Sequence, residues 1–231
     1  MIHQFIFAHP KPGMSEADFQ DYWLNVHAVQ YASKIPQIRR YQIDTRVPFG
    51  PEPADPLFSG VAEIWLANEE EQLASLQTKE FLEGARLDEP RWAAFWRTVG
   101  LDTTTHVLKE GPPLARESQM LKVFTLVKRK AGSELEDFRR YGLEEHAAKV
   151  LAIPGIQRYY QCYARDGLYT LGETLLDGIS LMWFENSEAL AAAALSPEWQ
   201  QAQDDLKTFV EPRYIQRFVT TEHWIIGPES R

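Results

Sequence analysis

Residues 2 to 9 alternate between Phe or Ile and smaller or polar side chains, the period-two pattern of a strand, before the Pro and Gly of "HPKPGMS" break it. Ser15 has the chemistry of a helix N-cap, with Glu16 and Asp18 set against the positive end of the helix. The predicted helix runs to about Ile35 and stops near Pro36, because proline disfavours helical backbone in the residue before it. "IRRYQIDTRV" and "FSGVAEIWLA" return to strand patterning on either side of the proline-rich "PFGPEPADP". A second helix opens near Asn68, "EPRWAAFWRTV" predicts a further short helix, and "TTTHVL" predicts a closing strand.

The second half repeats this order. "MLKVFTLVKR" is strand-like, a helix is expected from Ser133, "IQRYYQCYA" and "GISLMWFE" are strands, a helix opens after Asn186, and "YIQRFVTTEHWII" closes. A shift of 119 positions lays Phe5, Gly13, Phe19, Tyr22 and His27 on Phe124, Gly132, Phe138, Tyr141 and His146, identical in every case. After a slip to 118, Pro36, Ile38 and Tyr41 meet Pro154, Ile156 and Tyr159, and Gly60, Trp65 and Asn68 meet Gly178, Trp183 and Asn186. A further slip sets Thr103, Thr104 and His106 on Thr220, Thr221 and His223. The boundary falls in "KEGPPLARES", residues 109 to 118, which gives two domains, 1–110 and 118–231.

Each half is therefore βαββαβ, and the fold class is α+β. A four-stranded antiparallel sheet with two helices on one face leaves its other face bare, more apolar surface than a half of this size exposes alone. The expectation is that the two sheets pack face to face as an intramolecular pseudo-dimeric α+β barrel.

Composition narrows the partners. The net charge of −9, without blocks of like charge, argues against nucleic acid and against an anionic membrane surface. The single cysteine, Cys162, cannot pair internally, and no stretch reads as a leader or a membrane span, so a cytoplasmic location is expected. Aromatic residues make up 12% of the chain, enough to line a pocket as well as a core.

The candidate chemistry sits in the repeated aromatic and imidazole pair. On an α-helix Trp23 and His27 share a face flanked by Phe19 and Tyr22. His27 has two readings: an imidazole sealing the helix end, or a general acid or base facing a cavity, for which its ordinary pKa of about 6.5 suits it. His146 repeats the position, but Gly142 stands where Trp23 does. Tyr41 and Tyr159 are sheet aromatics or, alternatively, phenols that steady a developing oxyanion. Trp65 and Trp183 are core or pocket wall. His3 and His9 have Lys122 and Lys128 as counterparts, which argues against a metal site. His-Glu-x-x-His, Cys-x-x-Cys, GxGxxG and Gly-x-Ser-x-Gly motifs are all missing from the sequence.

"KPGMS", then Asp18-Phe19-x-x-Tyr22-Trp23-x-x-x-His27-Ala28, then Ile35-Pro36-x-Ile38-x-x-Tyr41, resembles the EthD-type group of the dimeric α+β barrel, or ferredoxin-like, superfamily. Relatives in that superfamily include polyketide cyclases, lactone isomerases, cofactor-free monooxygenases of aromatic substrates and haem proteins. The residues and the resemblance together imply a cofactor-independent enzyme acting on a small aromatic or polyketide-like molecule. His27 would move the proton, Tyr22 or Tyr41 would steady the oxyanion, and Phe19, Trp23 and Trp65 would stack on the ring. His146, Tyr141 and Tyr159 are the counterparts in the second copy. The alternatives are a cofactor-free monooxygenase of an electron-rich aromatic, a non-catalytic small-molecule binder and, less favoured, a haem protein. A homodimer is a possible assembly.

Overall fold

The computed structural model describes residues 1–231, the side chain of Glu117 excepted. In chain order the first half carries β1 (Ile2–Ala8), α1 (Glu16–Tyr22), β2 (Arg40–Val47), β3 (Gly60–Leu66), α2 (Glu69–Ser75), α3 (Arg86–Asp88) and β4 (Val99–Lys109). The second carries β5 (Glu117–Val127), α4 (Leu135–Tyr141), α5 (Ala147–Leu151), β6 (Ile156–Ala164), β7 (Gly178–Phe184), α6 (Ser187–Ala194), α7 (Pro197–Phe209) and β8 (Gln216–Ile226). The order is an α+β fold of two like repeats. Among the described residues no helix is long and apolar enough to cross a membrane.

Two compact units make up the chain: residues 1–102, 114–118 and 220–231 form one, and residues 103–113 and 119–219 the other. In the first unit β3 lies between β1 and β2, antiparallel to both, with Ile2 opposite Leu66 and Tyr41 opposite Ile64. Alternation along β1 sends Ile2, Gln4, Ile6 and Ala8 to one face and His3, Phe5 and Phe7 to the other. The first of these faces is covered by helix, where Phe19, Trp23, Ala28, Ile35, Tyr41 and Ile64 are buried together. In the second unit β7 lies between β5 and β6 in the same antiparallel manner.

Ser15 caps α1 as expected, its hydroxyl accepting from the Asp18 N–H at 3.1 Å. Asn68 and Asn186 cap α2 and α6 in the same way. In the second repeat the expected start at Ser133 is displaced: Glu134 holds the N-cap position without a side-chain cap, and Ser133 instead gives its carbonyl to Arg129. "EPRWAAFWRTV" is not one short helix but two single 3₁₀ turns, Glu89–Arg91 and Phe95–Arg97. Between them Ala93 bridges to Pro10, and Ala94 donates to the His9 carbonyl at 2.9 Å, so sheet pairing pulls the chain out of the helix.

The helix after α1 reaches its expected end but not with the expected pitch. Residues Trp23–Tyr31 wind as a π-helix and a 3₁₀ turn, Ala32–Lys34, closes it. The Ala32 N–H accordingly reaches the carbonyl of His27 as well as that of Ala28. The second repeat has a shorter π segment, Gly142–His146, at the matching place.

Candidate active site

The changed pitch accounts for the spacing of the repeated pair. Five residues apart on an α-helix, Tyr22 and His27 would point about 140° away from each other. A π turn, closing from residue i to i+5, returns them to one side. There they meet a single carboxylate: the Tyr22 hydroxyl donates to Asp88 Oδ1 at 2.8 Å, and His27 Nδ1 lies 2.9 Å from Asp88 Oδ2. Asp88 is buried at the end of α3. A carboxylate only accepts, so Nδ1 carries the proton and Nε2 keeps its lone pair.

His27, Trp23 and Tyr41 stand on the wall of a cavity of about 150 Å³ between the helical layer and the sheet of the first unit. Ile6, Ile35, Ile38, Ile64, Leu66 and Phe81 give it an apolar lining, and Glu89 and Trp92 also stand on its wall. The imidazole packs against Trp92, with ring centres 4.7 Å apart. Burial holds the His27 pKa below its ordinary value, against the opposing pull of the Asp88 hydrogen bond and charge. Glu89 is displaced the other way: burial, with Asp88 adding to it, lifts its carboxyl from 4.5 to about 7 despite Arg86. Tyr41 is fully buried and held well above its ordinary pKa, so it keeps its proton at any ordinary pH. His27 and Glu89 are thus displaced in opposite directions within one cavity, the pattern of a base and an acid set apart by their surroundings.

The remaining expected residues separate into two groups. Phe19 does not line the cavity; it is buried behind Trp23 and Trp92, with ring centres 5.3 and 5.2 Å away. Trp65 does not line it either, because its neighbours Ile64 and Leu66 take the cavity face of β3 and alternation sends Trp65 to the opposite one, where it stacks on His3 and Trp224. Tyr22 acts on the site only through Asp88.

The second repeat rebuilds the polar cluster with different neighbours around it. Tyr141 and His146 meet Asp205 at 2.9 and 2.8 Å, and Lys149 adds a contact at 3.0 Å. Burial lowers the His146 pKa as well. Tyr163 takes up the room that Trp23 fills in the first copy: a Cβ added at Gly142 would lie 2.0 Å from its hydroxyl. That hydroxyl donates to Gln161 at 2.5 Å, and the Gln161 amide donates to Tyr159 and to the Gly142 carbonyl. Tyr159 is buried in this network, its pKa pushed up to about 12. The first copy has Ile43 and Thr45 where the second has Gln161 and Tyr163.

Asp88, Glu89 and Trp92 are the residues that sequence reasoning missed. The last repeat register, which lays Thr103 on Thr220, also lays Asp88 on Asp205, an identity that marks the carboxylate. Glu89 falls on Leu206 and Trp92 on Phe209, so no identity points to either. Among the described residues no group of three or more His, Cys, Asp or Glu side chains converges as a metal site would need.

The EthD domain pattern matches residues 11–95 and again 130–213. No curated protein matches the chain. Among solved structures, an anthrone oxidase-like protein superposes with a TM-score of 0.65 at 12% identity, over 96% of this chain and 92% of its own. A candidate monooxygenase from Fusobacterium nucleatum gives 0.64 at 7% identity, over 100% and 95%, and one from Lactobacillus acidophilus gives 0.56 at 12%, over 100% and 97%. At such identities the likeness establishes the fold alone.

Proposed function

Since the chain belongs to the EthD domain family and carries that domain twice, we propose that its N-terminal copy is a cofactor-independent acid–base catalyst. Its substrate would be a small hydroxylated aromatic or polyketide-like compound. The observation that carries this reading is His27, fixed through Nδ1 by Asp88, on the wall of an apolar cavity that also holds a carboxyl of displaced pKa. A cavity of about 150 Å³ favours the smaller end of that range, since such a volume accommodates one aromatic ring.

In the proposed reaction His27 Nε2 takes a proton from carbon next to a carbonyl, or from a phenolic oxygen. The electron pair left behind moves onto oxygen, where the Tyr41 hydroxyl or the protonated Glu89 donates to it. Return of a proton to a different carbon completes an isomerisation, and expulsion of a β-hydroxyl as water, with a proton from Glu89, instead completes a dehydration. A lowered His27 pKa keeps the base free near neutrality, and a Glu89 pKa of about 7 keeps much of the acid loaded there.

A second reading shares the first step. Deprotonating an electron-rich phenol also prepares it for attack by oxygen, and the monooxygenase and oxidase names among the fold neighbours give that course its interest. Two assays decide. Cyclohexanone in D₂O reports proton abstraction as exchange at its α-carbons, followed by NMR; His27→Gln is expected to lower the catalysed rate by about 10²-fold or more. An unchanged rate would sink the acid–base reading and leave a non-catalytic binder. Oxygen uptake with a dihydroxybenzene, stoichiometric with its loss, would favour the oxygenase course.

A further inference from the structure

Resting on the reading of this cavity as the functional site, we infer the chemical class of its occupant. It is an uncharged single-ring compound whose oxygen accepts a hydrogen bond from the Trp92 indole Nε1–H and meets the Thr98 hydroxyl.

Both atoms are buried and have no hydrogen-bond partner, and both residues lie on the cavity wall. An indole N–H is a donor only, and leaving it buried and unpaired costs about 1–3 kcal/mol. Trp92 is 3% exposed and has no freedom to turn toward a partner. Its ring is held by Phe19, Trp23 and His27 at 5.2, 4.9 and 4.7 Å. Its backbone is pinned on both sides: the N–H donates to the Glu89 carbonyl at 3.2 Å, and the carbonyl accepts from Lys11 at 3.0 Å. A donor fixed so firmly and left unpaired is preorganised for something that enters the cavity.

The second repeat supplies an independent comparison. Phe209 stands where Trp92 does, a ring of similar placement with no N–H, and it packs on His146 at 5.1 Å as Trp92 packs on His27. The copy in which Tyr163 stands in for Trp23 has no indole donor, while the histidine and the aspartate persist. Packing of the imidazole therefore needs the neighbouring ring but not its N–H.

Charge sets the remaining limit. The only titratable wall groups besides Tyr41 are His27 and Glu89, and the described lining holds no lysine or arginine. A carboxylate occupant would be buried among apolar walls with no lysine or arginine to offset its charge, so the oxygen belongs to a phenol, alcohol or ketone.

The test uses phenol, toluene and benzoate with the full-length protein and its Trp92→Phe variant, by calorimetry and by ¹⁵N-indole NMR. Trp92→Phe is expected to weaken phenol about tenfold and to leave toluene within twofold. In the wild type, phenol but not toluene is expected to move the Trp92 Nε1–H resonance downfield, a readout that holds even if the variant does not fold. Equal effects on phenol and toluene, an indole resonance indifferent to phenol, or benzoate binding as tightly as phenol would overturn the inference while leaving the cavity a binding site. Failure of the wild type to bind either neutral ring at millimolar concentration would remove the inference and the active-site reading together.

Discussion

Glu89→Gln should stabilise the protein, and only where the carboxyl would otherwise ionise. Burial raises the Glu89 pKa from 4.5 to about 7. A displacement of about 2.5 on the pH scale, at about 1.36 kcal/mol each, sets an upper limit of about 3.4 kcal/mol on the cost of ionising it in the folded state. Glu89 is only half-buried, so solvent screening reduces this to about 1–2 kcal/mol. The sign follows from proton linkage. With the folded pKa above the unfolded one, the folded protein holds more protons between pH 4.5 and about 7, and stability falls as pH rises through that window. Glutamine does not titrate, so the variant should match the wild type near pH 4 and exceed it by about 1–2 kcal/mol at pH 8. For a chain of this length that is about 2–8 °C in Tm. Calorimetry at the two pH values reads the difference directly. An equal shift at both, or a wild type more stable at pH 8, would refute the placement of an acid in an apolar cavity. Loss of turnover alongside the gain in stability would mark Glu89 as a group kept for chemistry at a cost to the fold.

Two further outcomes concern the paired copies. Gly142→Ala should cost about 1–3 kcal/mol in urea denaturation because its Cβ would meet the Tyr163 hydroxyl, and Tyr163→Phe should relieve most of that cost; additive effects of the two changes would refute the close approach. In the first copy, the acid limb of the exchange rate should lie below pH 6.5, where the lowered His27 pKa places it, and Asp88→Asn should move it lower still while slowing the plateau, since Asp88 is what raises the imidazole. A limb that stays in place in Asp88→Asn would mean that His27 is not the titrating base.

The repeat, the α+β class, the Ser15 cap and the helix start near Asn68 were legible because each rests on local chemistry. The shared hold of Tyr22 and His27 on Asp88 was not, because a 3.6-residue pitch places them on different faces and only the π turn brings both to the carboxylate. Trp65 was misplaced for a related reason: strand alternation tells which residues share a face but not which face covers a cavity. Glu89 and Trp92 lay in a segment that reads as helix, while its course is set by the bridge from Ala93 to Pro10, a partner some 80 positions away that no local pattern reveals.

The exchange of Trp23 for Gly142 also bears on how such a molecule can evolve. When two identical chains pair, every substitution lands in both sites at once, and neither can be surrendered without the other. Here positions 23 and 142 differ, which is open to two repeats in one polypeptide because each is encoded separately. Ligand should accordingly bind with a stoichiometry of one per polypeptide, and the second repeat is free to drift, or to be remodelled by design, without disturbing the first.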